Sequence, residues 1–275
     1  MKYMTASIIA MILFFGAGYL PARVICKKTY SKHRGVKVAV LTAVIGTALL
    51  AAAALVYFAD CYHADEKAKE ALRGSDSVAV IETDGGYFFD GPDDSKAIVF
   101  YPGAKVECEA YAPLMLRLAD EGFDCFLADM PLNFALLGGN SADKFKNRYS
   151  YDTWIMAGHS MGGIMAASYA EKNPDETDGI ILLAAYTTTK LDDGFKLCSI
   201  YGSEDGCLER DVYADNKDNW PEKSAELVIE GGNHAQFGDY GVQKGDGTAG
   251  ISAEEQQRIT AETVSEVFGN SRTET

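Results

Sequence analysis

A pentapeptide of the form Gly-x-Ser-x-Gly, Gly158-His159-Ser160-Met161-Gly162, lies between two segments of contrasting pattern. Residues 152–157 predict a buried strand, and residues 161–171, rich in alanine and methionine, predict a helix. A serine on such a sharp strand-to-helix turn has a strained backbone, so its neighbours two positions away must be small. The turn exposes the hydroxyl, and the helix N-terminus offers N–H groups to a developing oxyanion. Ser160 is therefore the predicted nucleophile; the alternative is a glycine-rich turn that happens to contain serine.

A nucleophilic serine needs a general base, and the chain has four histidines. His33 lies in a basic loop, and His63 follows an apolar run. The side chain of His159 is expected to point away from the reacting hydroxyl. His234 follows an apolar run by a few residues and is predicted in a loop at the carboxyl end of a strand, where catalytic groups of α/β sheets collect. We therefore expect His234 to be the base.

The third catalytic group should be a carboxylate that lies between the serine and the histidine in chain order, also at a strand end. Residues 197–206 predict a short strand followed by a turn. Asp205 is the expected acid, because its short side chain and the glycine after it suit a tight turn that holds an imidazole. Glu204 is the alternative in the same turn. Asp192 and Asp193 are weaker alternatives, since both precede the strand.

An oxyanion hole requires two backbone N–H donors. The first is expected from Met161, the residue after the serine, and the second from the loop after an earlier strand. The apolar run 97–101 predicts that strand, and it leads into a loop over residues 102–106 in which a glycine allows close approach of the backbone. Ala104 is the expected second donor, with Lys105 as the alternative.

Four separated motifs occur in a fixed order along the chain. They are residues 101–106, 158–163, 200–206 and 231–237. From about Val78 onward the chain resembles the α/β-hydrolase superfamily, and more narrowly a compact bacterial branch related to dienelactone hydrolases, alpha/beta hydrolase fold-5. The resemblance implies Ser160, Asp205 and His234 as a catalytic triad. Many dienelactone hydrolases have cysteine at the position of this serine, so the resemblance does not extend to their substrate.

Strand and helix patterns alternate after residue 77, which predicts a mostly parallel sheet covered on both faces by helices. A β-hairpin over residues 77–82 and 86–90 is expected to open this sheet. The further predicted strands are 97–101, 125–129, 153–157, 179–184, 196–201 and 225–230. The predicted helices are 108–121, 142–148, 161–172, 207–214 and 253–268.

The connection over residues 185–194 is too short for the helical lid that many hydrolases of this superfamily insert there. We therefore expect no large lid and a site that is open above. The exception would be residues 130–150, which could fold over the site. Their apolar side chains could then form a rim: Leu132, Phe134, Leu136 and Leu137.

Charge is distributed unevenly between the two ends of the chain. The first 59 residues contain seven Lys/Arg and no Asp/Glu, so the rest carries a formal charge of −22 against −15 for the whole chain. Two uncharged runs, residues 3–22 and 38–59, are each about long enough to span a bilayer of roughly 30 Å. The segment between them, residues 23–35, has five positive charges and is expected on the cytoplasmic side, which places both termini outside.

These patterns predict a membrane anchor of two transmembrane helices (1–59), a charged helical spacer (60–76) and a hydrolase domain (77–275) outside the cytoplasmic membrane. The alternatives are a cleavable signal peptide before a single anchor and one amphipathic run, but a signal peptide would put the basic segment outside. The acidic domain disfavours nucleic acid as a partner.

Six cysteines do not form a disulfide scaffold in a domain of this size, although Cys198 and Cys207 could pair. No His/Cys group shows the spacing of a metal site, and neither a cofactor nor a metal is expected. The predicted activity is hydrolysis of a small-molecule carboxylic ester through an acyl-enzyme. An acyltransferase with the same residues and a non-catalytic binding domain on this fold remain the alternatives.

Overall fold

The computed structural model of the protein describes residues 2–28, 33–92 and 95–269. The chain divides into two compact units, Met1–Asp60 and Cys61–Thr275. We refer to them as the helical unit and, after the resemblance described above, the hydrolase unit.

The helical unit consists of α1 (Lys2–Ile25) and α2 (Arg34–Ala59), which pack against each other. Glycines allow their backbones to approach closely. A Cβ atom on Gly18 would lie 2.9 Å from the carbonyl oxygen of Thr42. In the described part of the chain, α2 alone is long and apolar enough to cross a membrane, and Leu13–Ile25 forms a shorter apolar helix. The two predicted runs therefore fold as helices, and the crossing of a membrane by both stays a prediction.

The hydrolase unit contains an eight-stranded sheet in the order β1-β2-β4-β3-β5-β6-β7-β8. The β1–β2 and β2–β4 pairs are antiparallel, and the other pairs are parallel. The predicted mostly parallel sheet opened by a hairpin is confirmed. The strands are β1 (Ala79–Thr83), β2 (Gly86–Asp90), β3 (Lys96–Tyr101), β4 (Asp124–Ala128), β5 (Thr153–His159), β6 (Gly179–Leu183), β7 (Lys196–Gly202) and β8 (Lys223–Ile229).

The described residues of this unit form six α-helices, which precede, connect or follow the strands. They are α3 (Glu66–Ala71), α4 (Ala112–Asp120), α5 (Ala142–Lys146), α6 (Met161–Lys172), α7 (Arg210–Asp215) and α8 (Ala253–Phe268). The segment predicted as a spacer packs against the rest of this unit. Ala64 and Ala68, which lie in it, are buried in the core beside α4. The helix predicted from residue 207 begins only at Arg210, since the N–H groups of Cys207 and Leu208 donate to Asp205 instead.

Alternate residues of the central strands pack into two apolar clusters, one on each face of the sheet. On β3, Ile98 and Phe100 belong to one cluster, and Val99 and Tyr101 belong to the other. This double burial explains why the parallel strands are continuous apolar runs rather than alternating ones. The sheet thus has covered faces, and its carboxyl edge is where polar loops gather.

No helix forms over residues 185–194, all of which the structure describes, so this connection contains no helical lid, as the sequence predicts. Residues 131–137 form two short 3₁₀ turns, which precede α5. Hydrogen bonds hold the start of α5 to the sheet, because the Tyr101 hydroxyl accepts from the N–H of Ala142 and donates to the carbonyl of Gly139. Leu132, Leu136 and Leu137, which precede α5 in the chain, are 50–60% exposed.

Candidate active site

Backbone strain in the described chain is concentrated at the carboxyl ends of consecutive strands. Five non-glycine residues have positive φ: Lys105 after β3, Leu132 and Asn133 after β4, Ser160 after β5, and Ala184 after β6. Such conformations cost of order 1–3 kcal/mol each and persist where the surrounding structure requires them, often at functional sites. The strained residues therefore indicate that a functional site lies at the carboxyl edge of the sheet.

Ser160 occupies the sharp turn between β5 and α6, with φ 52° and ψ −123°. Its N–H donates to the Leu183 carbonyl at 2.9 Å, which holds the turn against β6. The glycines around it are required by space. A Cβ on Gly158 would lie 2.5 Å from the backbone of Gly162, and one on Gly162 would lie 2.1 Å from the carbonyl oxygen of Tyr101. Ser160 itself is only half-buried, so part of the residue is accessible to solvent.

His234 and Asp205 form a buried pair at the ends of β8 and β7. His234 Nδ1 and Asp205 Oδ2 are 2.9 Å apart, and the two side chains are 3% and 0% exposed. Asp205 Oδ1 accepts further hydrogen bonds from the N–H groups of Cys207 and Leu208, both at 2.8 Å. With Nδ1 bound to the carboxylate, Nε2 of the imidazole is the nitrogen left to exchange a proton.

The surroundings of Asp205 keep it ionised. Burial raises the pKa of this carboxyl, but the hydrogen bond and charge of His234 and the two backbone donors outweigh burial, so the pKa lies below its ordinary value. A carboxylate with a lowered pKa can orient the imidazole and stabilise its protonated form across the neutral range.

The alternative acids lie elsewhere. Glu204 is exposed and accepts a hydrogen bond from the hydroxyl of its neighbour Ser203. Asp192 and Asp193 are also exposed, and their carboxylates accept from the backbone N–H groups of Gly194 and Glu222, respectively. Of the carboxylates considered from sequence, Asp205 is the one that the structure brings to the histidine.

Asp246 ties the acid turn to the loop that carries His234, and sequence reasoning missed it. Its Oδ1 accepts from the N–H groups of Gly206 and His234 at 3.1 and 3.2 Å, and its Oδ2 accepts from that of Ala235 at 2.8 Å. The signal in the sequence is weak, a Gly-Asp-Gly turn over residues 245–247. The role of Asp246 depends on contacts between residues that lie far apart in the chain, so the sequence alone does not reveal it.

Two backbone donors face the same edge of the sheet. The N–H of Met161 lies in the first turn of α6, where such groups have no partner within the helix. After β3, the N–H of Lys105 donates to the Asn133 carbonyl at 2.6 Å and is thereby occupied. The N–H of Ala104 has no hydrogen-bond partner within the described residues. Ala104 is therefore the better placed of the two sequence candidates for the second donor.

A second buried histidine, His159, packs against His234. The Tyr111 hydroxyl accepts from the N–H of Gly103 at 3.1 Å and is 2.8 Å from Nδ1 of His159. The His159 ring in turn packs against the ring of His234, with centroids 4.5 Å apart, and against Phe237. Burial lowers the pKa of His159 well below its ordinary value, so this ring is neutral. Sequence reasoning treated His159 only as a side chain that points away, and it missed Tyr111.

Cys198 and Cys207, which could have paired, are both free thiols. Burial raises the pKa of Cys198 to about 12, as expected for an inert thiol inside the sheet.

Comparison with known proteins agrees with this architecture. Residues 97–258, more than half of the chain, match the profile of the alpha/beta hydrolase family. The chain belongs to that family. No curated protein matches the chain in sequence.

Solved structures of hydrolases superpose on the protein. A CIB-like hydrolase of Thermoplasma acidophilum is 17% identical with a TM-score of 0.52, covering 69% of this chain and 100% of its own. Carboxyl esterase 2 of Tuber melanosporum is 11% identical with a TM-score of 0.53, covering 76% and 91%. Naproxen esterase of Bacillus subtilis is 11% identical with a TM-score of 0.51, covering 73% and 95%. At these identities the likeness is one of fold, and the family match supports a hydrolase.

Proposed function

We propose that this hydrolase is a serine esterase that cleaves carboxylic esters through an acyl-enzyme intermediate. The observation that carries the proposal is the buried pair of His234 and Asp205, with Nδ1 and Oδ2 2.9 Å apart, at the same sheet edge as the strained, half-buried Ser160. Two of the superposable structures are esterases, which supports the same substrate class.

In the proposed mechanism, His234 Nε2 takes the proton of the Ser160 hydroxyl as Oγ attacks the ester carbonyl. The negative charge on the former carbonyl oxygen is stabilised by the N–H groups of Met161 and Ala104. The protonated imidazole then gives its proton to the departing alcohol, which leaves the acyl group on the serine. Water, activated by the same nitrogen, attacks this ester and releases the acid, while Asp205 holds the imidazole throughout.

Covalent labelling tests the nucleophile directly. A fluorophosphonate probe should label the full-length protein once, and Ser160→Ala should remove the label. Ser168→Ala is the matched control, because Ser168 lies in α6, the helix that follows Ser160, and is also half-buried. Labelling that persists in Ser160→Ala would show that another residue is the nucleophile. No labelling of a folded protein that also lacks esterase activity would favour a non-catalytic domain.

An acyltransferase would use the same residues and differ only in the group that removes the acyl chain from the serine. Product analysis separates the two activities. With a simple ester in water we expect free acid to form at the rate of alcohol release. Slow acid release, with fast alcohol release only when an alcohol or amine acceptor is added and with the acyl group recovered as the ester or amide of that acceptor, would favour the transferase.

We also propose that the helical unit anchors the enzyme in the cell membrane, with the hydrolase unit outside the cytoplasm. The proposal rests on the apolar α2, on the apolar run within α1 and on the five positive charges over residues 23–35. Protease added to intact protoplasts should degrade the hydrolase unit. Protection of this unit until the membrane is lysed would reverse the proposed orientation.

A further inference from the structure

Three side chains of different metal-ligating types meet near the beginning of the hydrolase unit: Cys61, His63 and Glu107. One sulfur, one nitrogen and one oxygen atom from them all lie within 4.8 Å of one another. Among residues 2–28, 33–92 and 95–269, no other group of three such side chains comes together in this way. We propose that these three residues bind a thiophilic divalent cation of the zinc type.

The backbone brings the three residues together. Tyr62 forms an isolated parallel bridge with Val106, in which its N–H donates to the Lys105 carbonyl at 2.7 Å and its carbonyl accepts from the Glu107 N–H at 3.0 Å. In extended backbone, residues two apart project to the same side, so the residues before and after Tyr62 share one face. The bridge therefore places His63 beside Glu107, with Cys61 on the same side.

The distances suit a tetrahedral centre after small adjustments. Cys61 Sγ is 3.9 Å from His63 Nδ1, and this nitrogen is 2.7 Å from Glu107 Oε1. Zinc bonds of about 2.0–2.3 Å imply ligand atoms about 3.3–3.7 Å apart. A cation would thus replace the direct contact between imidazole and carboxylate and draw the thiolate slightly closer. Water would supply the fourth position.

One ligand is already oriented by the protein. The second carboxylate oxygen of Glu107, Oε2, accepts the N–H of Ala64 at 2.9 Å, which leaves Oε1 to face the histidine and the cation. Hydrogen bonds of this kind fix the orientation of metal ligands. A cation can reach the site from solvent, since the side chains of His63 and Glu107 are 69% and 31% exposed.

The site is distinct from the proposed esterase site but lies close to it along the chain. Glu107 is three residues after Ala104, and the loop between them is held at Lys105 by the hydrogen bond to Asn133. A bound cation would cross-link this loop to the first extended segment of the unit. The cation is expected to stabilise the contact between this loop and that segment. The metal proposal can therefore be tested independently of the ester chemistry.

Cobalt(II) provides a spectroscopic probe of the site. The full-length, reduced protein in detergent should bind one Co²⁺ per chain, with a thiolate-to-cobalt charge-transfer absorption and intense d–d bands typical of tetrahedral geometry. Zn²⁺ should displace the cobalt and bleach both bands. Zn²⁺ should also raise the melting temperature, because it binds the folded and not the unfolded chain.

Variants then locate the ligands. Cys61→Ser should abolish the charge-transfer band, and Glu107→Gln should weaken binding by more than about a hundredfold, since partners that only orient a ligand are already worth 10–100-fold. Cys207→Ser is the matched control: it removes another half-buried thiol, and the band should persist. Circular dichroism establishes that each variant is folded. No saturable band at one equivalent of cobalt, or an unchanged band in Cys61→Ser, would overturn the proposal and leave a plain ion pair between His63 and Glu107.

Discussion

Two regions beside the candidate active site differ in how they are held: the pair formed by the acid turn and the base loop, and the rim segment. The acid turn (202–206) and the base loop (231–247) are held by hydrogen bonds that centre on Asp205 and Asp246, and the one between His234 and Asp205 is buried. The rim segment (131–137) instead presents exposed leucine side chains to solvent. A satisfied polar network fixes one geometry, whereas an exposed apolar surface can change with little effect on folding. The groups proposed to react are thus rigidly placed, and the surface next to them is free to vary.

The largest expected effect belongs to the nucleophile and its base. Ser160→Ala and His234→Ala should each lower kcat for a soluble ester by at least about a thousandfold, because covalent catalysis is lost. Thermal melting should show that both variants remain folded, and Ser168→Ala should keep its activity. Retention of more than about a tenth of the activity by either variant would remove that residue from the mechanism.

The next effect concerns the acid. Asp205→Asn should lower kcat by about a thousandfold or more, since an amide cannot stabilise the imidazolium. Glu204→Gln, the matched change in the same turn, should have little effect because Glu204 is exposed. The reverse result would transfer the acid role to Glu204.

The same substitution makes a prediction about pH. The pKa of Asp205 is lowered in the folded protein, so its ionised form contributes stability that is fully present above the ordinary value of 3.8 and is lost as pH falls through the lower folded value. The difference in melting temperature between the wild type and Asp205→Asn should therefore be constant near neutral pH and shrink below about pH 4. A difference that grows on acidification contradicts a lowered pKa.

Asp246 tests whether the polar network positions the base. Asp246→Ala leaves several backbone N–H groups without their acceptor and should lower the free energy of unfolding by about 2–3 kcal/mol. It should also lower kcat by about ten- to a hundredfold, because the loop that carries His234 loses its tie to the acid turn. Asp215→Ala, at the exposed end of α7, is the control and should change neither quantity. Loss of stability with an unchanged kcat would make Asp246 purely structural.

A smaller effect is expected at Tyr111. Tyr111→Phe removes the hydroxyl that contacts both Gly103 and His159, and it should lower kcat about tenfold while KM changes little. Tyr213→Phe is the matched control, since this buried hydroxyl contacts Ser199 and Glu226 away from the proposed catalytic residues. Both variants should have a lower melting temperature than the wild type, and only Tyr111→Phe should have a lower kcat. Equal kcat in the two would separate Tyr111 from catalysis.

The smallest effects are expected on the rim. Leu136→Ala and Leu137→Ala should leave the melting temperature unchanged and raise KM only for esters with longer acyl chains, by a few-fold at most. A fully buried methylene is worth about 0.8 kcal/mol, and these side chains are more than half exposed. Val242→Ala, an exposed apolar control elsewhere, should have no effect.

The absence of a lid over residues 185–194 makes a related prediction about substrates. Activity on short-chain esters should rise smoothly with concentration through the solubility limit. A rate jump at the onset of micelles, or peak activity on acyl chains beyond about ten carbons, would indicate that the rim segment closes over the site.

Much of the fold was predictable because its signals are local. Helix α6 and helix α8 have the bounds expected from the sequence, and each strand begins and ends within two residues of its predicted range. Continuous apolar runs between turn residues predict buried parallel strands, and a Gly-x-Ser-x-Gly turn between a strand and a helix has few alternative conformations. The proposed triad could be approached for the same reason: chain order and strand ends pointed to Ser160, to His234 and to the turn that contains Asp205 and Glu204.

What the sequence could not decide are contacts between residues far apart in the chain. The preference for Asp205 over Glu204 follows from which side chain turns inward, and the preference for Ala104 over Lys105 follows from a hydrogen bond to Asn133. Asp246 has no sequence motif that marks it, because its partners lie in other loops. Local propensity governs where helices and strands form, but polar atoms are paired only when the sheet brings its loop ends together, and that pairing belongs to the tertiary structure.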